Sequence, residues 1–399
     1  MSKVVIVGAS MGGLRTAESL RRSGFAGEIT LIGAERHPPY NRPPLSKELL
    51  ANDKDLAAVA FPIKEQELGA EFLLGEVATS LSLADQFVNL ASGKSISFDY
   101  LVAATGLRSR QISFPNDLRS GRFSLRTYDD AKALRKAVTP GSSVVILGAG
   151  FIGLELAATL RKLGCAVDIV AIESTPLAPI LGEEFGAEVR RRHEAEGIRF
   201  HLQRTVDDLI GEERVEGVRL DDGEIINCSI LIEAVGSLPN TEWLEGNELD
   251  LTNGVLTDQS LRGMCEDGTS MDELFVVGDI ARFPYSHHQL APRRIEHWNI
   301  PIESAKRVGR EIAHHSAPGS VEDFVMGEHF NPLPSFWSDQ FDMSILSYGE
   351  PKLADQVTLL EGDLATEFVF GYRRKGELVG VAGIGMRREV NKLRGEIRL

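Results

Sequence analysis

The hydrophobic positions of this chain fall into a pattern that occurs twice. Near the start, an unbroken β-branched run at residues 4–7 meets Gly8-Ala-Ser10-Met-Gly12-Gly13, then a segment with helical spacing at 14–22 and a second apolar run at 28–32. The same order returns 140 residues later. Residues 144–147 meet Gly148-Ala-Gly150-Phe-Ile-Gly153, Leu154, Leu156, Ala157 and Leu160 recur at helical spacing, and another apolar run ends at Glu173. Short apolar runs bounded by glycine read as strands buried on both faces, and a 3.6-residue period between them reads as the crossover helix of a βαβ unit.

Each unit is followed by a strand that ends in a small-residue turn, FDYLVAATGLRSR at 98–110 and SILIEAVGSLPN at 229–240. Asp221-Asp222-Gly223 marks a hairpin within a meander. The run LFVVGDIARF, 274–283, is a buried strand ending in Gly278-Asp279, and a carboxylate at a strand's C-terminal end faces the ligand crevice of an open α/β sheet. The prolines of HPPYNRPPLSKELL stiffen an extended segment ahead of a helix that begins near Ser46. A further helix begins around 299–302, with Trp298 just before it. From 323 onward the text turns to short strands with glycine hairpins and a final basic helix. The expected fold class is therefore α/β, two Rossmann-like dinucleotide-binding domains plus a C-terminal α+β domain.

The glycine spacing carries the first chemical reading. Gly148 permits a tight turn, Gly150 lets backbone approach a pyrophosphate, Gly153 lets helix and strand pack closely, and the helix N-terminus presents free N–H groups to phosphate. Glu173 lies 25 residues beyond Gly148, and Glu35 lies 27 beyond Gly8, each near the place of a ribose-binding acid. In the first turn Ser10 takes the middle glycine's place. Two such turns imply two dinucleotides, a tightly held flavin and an exchangeable nicotinamide. Arg42 and Lys47, just past the first turn, read evenly as cofactor contacts or as solvated loop charge.

The 399 residues suit two or three domains, with 43% hydrophobic and 25% charged residues, as in a globular protein. No apolar run is long enough for a membrane span, and the chain opens directly into a strand. The expectation is a cytoplasmic protein without a signal peptide. Three cysteines, Cys165, Cys228 and Cys265, stand far apart, so neither a redox dithiol nor an iron–sulfur cluster is expected, and no metal site. A net charge of −15 argues against nucleic acid as a partner.

The stretches PPYNRPPLSKE, AATGLRSR, SLRTYDDA, LGAGFIGLELA, VVGDIARF, RRIEHWNI and PSFWSDQF together resemble the FAD-dependent NAD(P)H:ferredoxin reductases that serve bacterial P450s and aromatic-ring dioxygenases, the putidaredoxin-reductase-like proteins. The resemblance covers essentially the whole chain. It implies a discontinuous FAD-binding domain at 1–108 and 241–322, an NAD-binding domain at 109–240 inserted in it, and a C-terminal α+β domain at 323–399. By the same resemblance Gly8, Ser10, Gly12 and Gly13 hold the FAD pyrophosphate, with Glu35 on the adenosine ribose and Arg42 and Lys47 along the pyrophosphate and flavin edge. Thr105, Gly106 and Arg126 line the FAD site, Gly278 and Asp279 meet the ribityl chain, and Trp298 covers the flavin. Gly148, Gly150, Gly153, Glu173 and Gly236 hold NAD. Glu155 is expected to pair with Lys47 beside the reacting flavin nitrogen, the two forming the catalytic pair. Where the family usually carries an Arg, two positions before Leu181, this chain has Pro179.

The implied function is transfer of electrons from NADH through FAD to a small ferredoxin, of the [2Fe–2S] kind, that supplies a P450 or Rieske-type oxygenase, with a rubredoxin as the alternative carrier. Alternatives are a reductase of another acceptor such as monodehydroascorbate, or an NADH-sensing interaction protein of the apoptosis-inducing-factor type. A disulfide reductase is disfavoured because residues 35–50 contain no Cys. His297 reads as a packed, hydrogen-bonded residue or a flavin neighbour, and Trp298 and Trp337 read as core aromatics or as the electron exit. Residues 371–399 carry eight Lys and Arg against three Glu. With Arg293 and Arg294 they are expected to form a basic rim for an acidic ferredoxin.

Overall fold

The computed structural model describes residues 2–285, 290–316 and 329–398. Its first sheet has six strands, in the order Arg262–Met264, Ser270–Val276, Tyr100–Ala103, Lys3–Val7, Glu28–Gly33, Glu71–Leu74. All are parallel except the first, which is antiparallel to its neighbour. A second, wholly parallel sheet of five runs Arg199–Leu202, Ala166–Ala171, Ser143–Leu147, Ile230–Glu233, Arg122–Ser124. In both, the strand that leads into the glycine turn is inside the sheet, flanked by the strand after its crossover helix and by the strand before the small-residue turn. The strand order reverses at that place, so both turns lie at a topological switch point, where open α/β sheets bind ligands.

The crossover helices Met11–Arg22 and Phe151–Lys162 begin at the glycine turns. The first packs against Ile300–Ser316, and their small residues Ser19 and Gly309 let the backbones approach closely. Each unit also carries a three-stranded antiparallel meander, and Asp221-Asp222-Gly223 turns the hairpin between Gly217–Leu220 and Ile225–Asn227. The two chain crossings between the units pair with one another, Leu107–Ser109 antiparallel to Ser237–Pro239.

The last domain is a five-stranded antiparallel sheet, Ser335–Gln340, Met343–Gly349, Glu377–Ile384, Phe368–Arg374, Gln356–Gly362 in spatial order. Side-chain alternation gives it two distinct faces. Phe336, Ile345, Phe368, Phe370 and Ala382 share one buried core with the second parallel sheet's helices, where the Phe185 ring edge meets Phe368 at 5.2 Å. The other face, with Leu346, Val369 and Val381, is covered by the helix Arg387–Leu393, and Trp337 and Tyr348 pack at its margin. The expected boundary at 322/323 lies outside the described residues. Among the described residues no helix is long and apolar enough to cross a membrane.

The helix expected to start near Ser46 is broken. Pro43–Ser46 forms a 3₁₀ turn, Lys47 leaves helical geometry at φ −119°, ψ −114°, and the α-helix runs Glu48–Asn52. Ser46 caps nothing here: its hydroxyl donates to the Glu155 carboxylate, which draws the chain out of register and turns Lys47 toward the same group.

His193, on the helix Glu183–Ala195, is fully buried, with Phe200 and Phe341 ring edges around it. Burial pushes its imidazole down to about 4, against a weaker opposing effect from the Gln340 side chain. The unfolded chain takes up this proton near 6.5. The neutral ring's contribution to stability is thus complete above about pH 6.5 and is lost as pH falls toward 4. Thermal unfolding between pH 7 and pH 5 should show a falling midpoint, and His193→Phe should flatten that slope. An unchanged slope would assign the acid sensitivity to other groups.

Candidate functional site

The two glycine turns close in the same way. A β-carbon on Gly8, at φ +120°, would lie 2.0 Å from the Ala104 carbonyl oxygen, and one on Gly148, at φ +101°, would lie 2.4 Å from that of Ala234. In both, the turn passes directly over the end of the neighbouring strand, and Gly13 and Gly153 press the helix against Gly8 and Gly148 in turn. A β-carbon on Gly150 would meet nothing within 4 Å, so that position faces open space. Ser10, its counterpart, has extended backbone (φ −108°) and makes no capping bond from its side chain, so serine is accommodated there without strain.

Between the units lies a cavity of about 320 Å³. Ser10 and Gly12 reach it from the first turn, and Arg42 and Lys47 from the proline-rich segment. Thr105, Gly106 and Arg126 form another wall. Gly278, Asp279, His297 and Trp298 close it from the returning chain. Glu155 lines it from the second unit. Gly8 and Gly13 stand behind the lining. Glu35 also stands outside it, half-buried: it accepts from the Tyr40 hydroxyl at 2.5 Å and from Arg42 Nη2 at 2.6 Å, so these two residues fix its carboxylate. Gly148, Gly150, Gly153, Glu173 and Gly236 belong to the second unit and do not line the cavity. Glu173 is half-exposed beside Ile172, which is 70% exposed. Pro179 is exposed on the short helix Ala178–Leu181.

Most of the charged groups lining the cavity are enclosed, and Glu296 is the exposed one. Lys47 Nζ lies 2.7 Å from Glu155 Oε2, with the side chains only 16% and 8% exposed. Burial pushes the Asp279 carboxyl up, and Arg126, at 3.5 Å, offsets this only in part. Burial likewise pulls Arg126 down. Burial, reinforced by Lys352 and Arg293, pushes His297 down to about 4, so its ring is neutral, and its Nδ1 is enclosed with no hydrogen-bond partner within the protein.

Sequence reasoning missed several lining residues. Phe151 and Ile152 start the second crossover helix and line this cavity, and the Phe151 ring packs at a tilt against Phe336, centroids 4.7 Å apart. Two large apolar residues directly after Gly150 were the available signal. Trp298 donates from Nε1 to Asn41 Oδ1 and meets Trp337 edge-on at 5.4 Å, with 37% of its own surface exposed. The expected basic rim needs correction at one end. Arg293 pairs with Glu350 and Arg294 with Glu296, both at 2.8 Å, so their charge is met within the protein. Arg387, Arg388 and Lys392 are exposed, on the sheet face that carries Trp337.

These features fit a flavin dinucleotide: a helix N-terminus with Arg42 near it for a pyrophosphate, an under-neutralised Asp279 for hydroxyls, an unpartnered His297 nitrogen, and an aromatic wall. The second glycine turn, with the open Gly150 and the half-exposed Glu173 at the end of the next strand, fits a second dinucleotide. Among the described residues no group of three or more His, Cys, Asp or Glu is placed to hold a metal ion, and no cysteine lines the cavity.

Comparison with known proteins agrees with this geometry. The anthranilate 1,2-dioxygenase system ferredoxin–NAD(+) reductase component of Burkholderia cepacia is 32% identical over 405 residues, covering 98% of this chain and 92% of that protein. The structure of the ferredoxin reductase for the CYP199A2 system from Rhodopseudomonas palustris superposes with a TM-score of 0.90 at 30% identity, covering 100% of this chain and 96% of that one. The covalent putidaredoxin reductase–putidaredoxin complex gives 0.89 at 25% identity over 99% and 92% of the two chains. Residues 335–398 match the reductase C-terminal family. Residues 2–305 match the pyridine nucleotide-disulphide oxidoreductases, and the chain belongs to that family.

Proposed function

We propose that this protein is an FAD-containing NADH:ferredoxin reductase, passing electrons to a small iron–sulfur ferredoxin that supplies a P450 or Rieske-type oxygenase. The observation that carries this reading is that residues of both dinucleotide turns, Ser10 and Gly12 from one and Phe151 and Ile152 from the other, line a single cavity. A flavin held there would supply hydride acceptance from NADH and release of single electrons, chemistry no side chain supplies. The chain's own part is to bind, orient and exclude water. Gly8, Ser10, Gly12, Gly13 and Arg42 take the FAD pyrophosphate, Glu35 the ribose, and Asp279 the ribityl hydroxyls. Thr105, Gly106, Arg126, Gly278 and His297 complete the enclosure, and Trp298 covers the ring. Gly148, Gly150, Gly153, Gly236 and Glu173 take NADH. Lys47 and Glu155 set the charge beside the flavin.

The Trp298–Trp337 pair, exposed at Trp298, favours outward one-electron transfer, and a cavity without cysteine offers no route to a dithiol. The division at 1–108 with 241–322, 109–240, and 323–399 is likewise our reading, supported by the two parallel sheets and the paired crossings at 107–109 and 237–239. Three unpaired cysteines favour the cytoplasm, a reducing compartment.

Three outcomes test this. Glu173 would repel the 2′-phosphate of NADPH and accept the ribose hydroxyls of NADH. Steady-state kcat/KM should favour NADH, and Glu173→Arg should move the ratio toward NADPH by at least about tenfold, equivalent to roughly 1.4 kcal/mol. Equal use of both cofactors by the wild type would sink that assignment. Next, the purified protein should carry one FAD rather than FMN, and Asp279→Ala should release it on dilution, measured by flavin fluorescence in the filtrate. Retention equal to wild type would remove Asp279 from the site. Finally, an acidic ferredoxin must approach a protein of like net charge, so local charge has to steer it. Steering acts on the association rate and weakens with salt, over a screening length of about 10 Å at 0.1 M. Ferredoxin reduction should fall with ionic strength in wild type. It should be slower and salt-insensitive in Arg387→Glu, Arg388→Glu, with ferricyanide reduction unchanged. A variant equal to wild type at low salt would place docking elsewhere.

A further inference from the structure

A row of buried polar side chains leads away from the Lys47–Glu155 pair, and nothing in the binding scheme accounts for it. Glu155 Oε1 accepts from Ser338 Oγ at 2.6 Å. Ser338 Oγ in turn accepts from Gln340 Nε2 at 3.0 Å, and the Gln340 Oε1 faces His193 Nε2 at 2.9 Å. With its nitrogen already donating to Ser338, Gln340 has only its oxygen for the ring, so the neutral His193 carries its proton on Nε2 and donates. On the other carboxylate oxygen, Ser46 Oγ donates at 2.6 Å and Lys47 Nζ at 2.7 Å. Ser338 and Gln340 are 0% and 1% exposed, and His193 is fully buried.

Every bond in the row therefore points the same way, from His193 through Gln340 and Ser338 to Glu155. Aligned bonds in a low-dielectric interior polarise one another, and each donor lowers the effective negative charge left on the acceptor at the end. The row also joins three parts of the molecule. His193 belongs to the second parallel-sheet unit, Ser338 and Gln340 to the inner face of the C-terminal sheet, Glu155 to the crossover helix, and Ser46 and Lys47 to the first unit. Thr159, one turn beyond Glu155, donates to the Ser46 carbonyl at 2.7 Å and holds that last segment in place.

We infer that Ser338, Gln340 and His193 are positioning residues for the reductase reaction, which act through Glu155 to set how much of the Lys47 charge is left to face the cavity. The more negative charge on Glu155 is met by Ser338, the less of it falls on Lys47, and the more the ammonium favours an electron-rich group beside it. Removing the Ser338 hydroxyl makes the cavity wall more negative and disfavours the reduced flavin. Removing the Gln340 amide weakens the same bond at second hand and has a smaller effect of the same sign.

The inference rests on the reading of the cavity as the flavin site. The test uses the full-length flavin-loaded protein, with Ser338→Ala, Gln340→Met and Ser338→Thr, which keeps a hydroxyl. For each, three quantities are measured: flavin content, thermal midpoint, and the flavin's midpoint potential by equilibration with a redox dye. Ser338→Ala should retain flavin and lower the ratio of reduced to oxidised flavin at fixed dye potential by about tenfold, equivalent to about 30 mV for a two-electron couple. Gln340→Met should shift it less, in the same direction, and Ser338→Thr should return it to the wild-type value. A purely structural role would lower the thermal midpoint and leave the potential alone. Potentials equal to wild type in flavin-loaded Ser338→Ala and Gln340→Met overturn the inference and leave the site assignment standing. Should Ser338→Ala fail to fold, an unshifted Gln340→Met is enough to overturn it. A wild-type protein that takes up no flavin overturns both.

Discussion

A carboxylate cannot be taken out of water alone, and the assembly of this molecule is organised around one that has been. Glu155 sits one turn into the second crossover helix, among leucines and alanines, with almost no exposed surface. The cost of desolvating it is several kcal/mol unless it is paired and hydrogen-bonded on both oxygens. No single part of the chain supplies those partners. The cation and one hydroxyl come from the segment after the first Rossmann unit, and the other hydroxyl comes from the first strand of the C-terminal sheet. Satisfying one acid thus requires three regions distant in sequence to meet at one point, and that point is a wall of the cavity.

The same demand accounts for the break in the helix after the prolines. An uninterrupted helix from Ser46 would carry Ser46 and Lys47 away from Glu155. The observed kink gives up regular geometry at Lys47 and gains two charge-assisted bonds, which are stronger than the neutral hydrogen bonds of a helix end. Around this junction the C-terminal sheet works on both faces. The inner face shares a core with the second unit and delivers Phe336 and Ser338. The outer face carries Trp337 at the cavity mouth and packs the terminal basic helix beside it. Pleating converts adjacent residues of one strand, Phe336 and Trp337, into a wall residue and a surface residue.

Charge is distributed on two scales. The chain is acidic overall, yet most of the arginines near the cavity are already committed: Arg42 to Glu35, Arg126 toward Asp279, Arg293 to Glu350, Arg294 to Glu296. The exposed Arg387, Arg388 and Lys392 lie on the sheet face that carries Trp337, and in the function proposed above they are the cations offered to a partner. Net charge governs solubility and long-range approach, whereas recognition at contact depends on the few cations left without an internal acid.

Much of this was legible in the chain itself. Two glycine turns between apolar runs are local features, because the steric reasons for each glycine operate within a few residues of it, and they foretold the two parallel sheets. Asp279 at a strand end and Trp298 before a helix were legible for the same reason. Tertiary structure decided what depended on distant partners. It set Arg293 and Arg294 against acids rather than toward solvent, and brought Phe151 and Ile152 into the same cavity as Ser10. It also ran a polar row from Glu155 through Ser338 and Gln340 to His193. Nothing in the sequence signals that row, because a one-dimensional pattern records which face a side chain takes and not what stands opposite it. The pairing of a buried charge is a property of three-dimensional packing, and only the folded chain determines it.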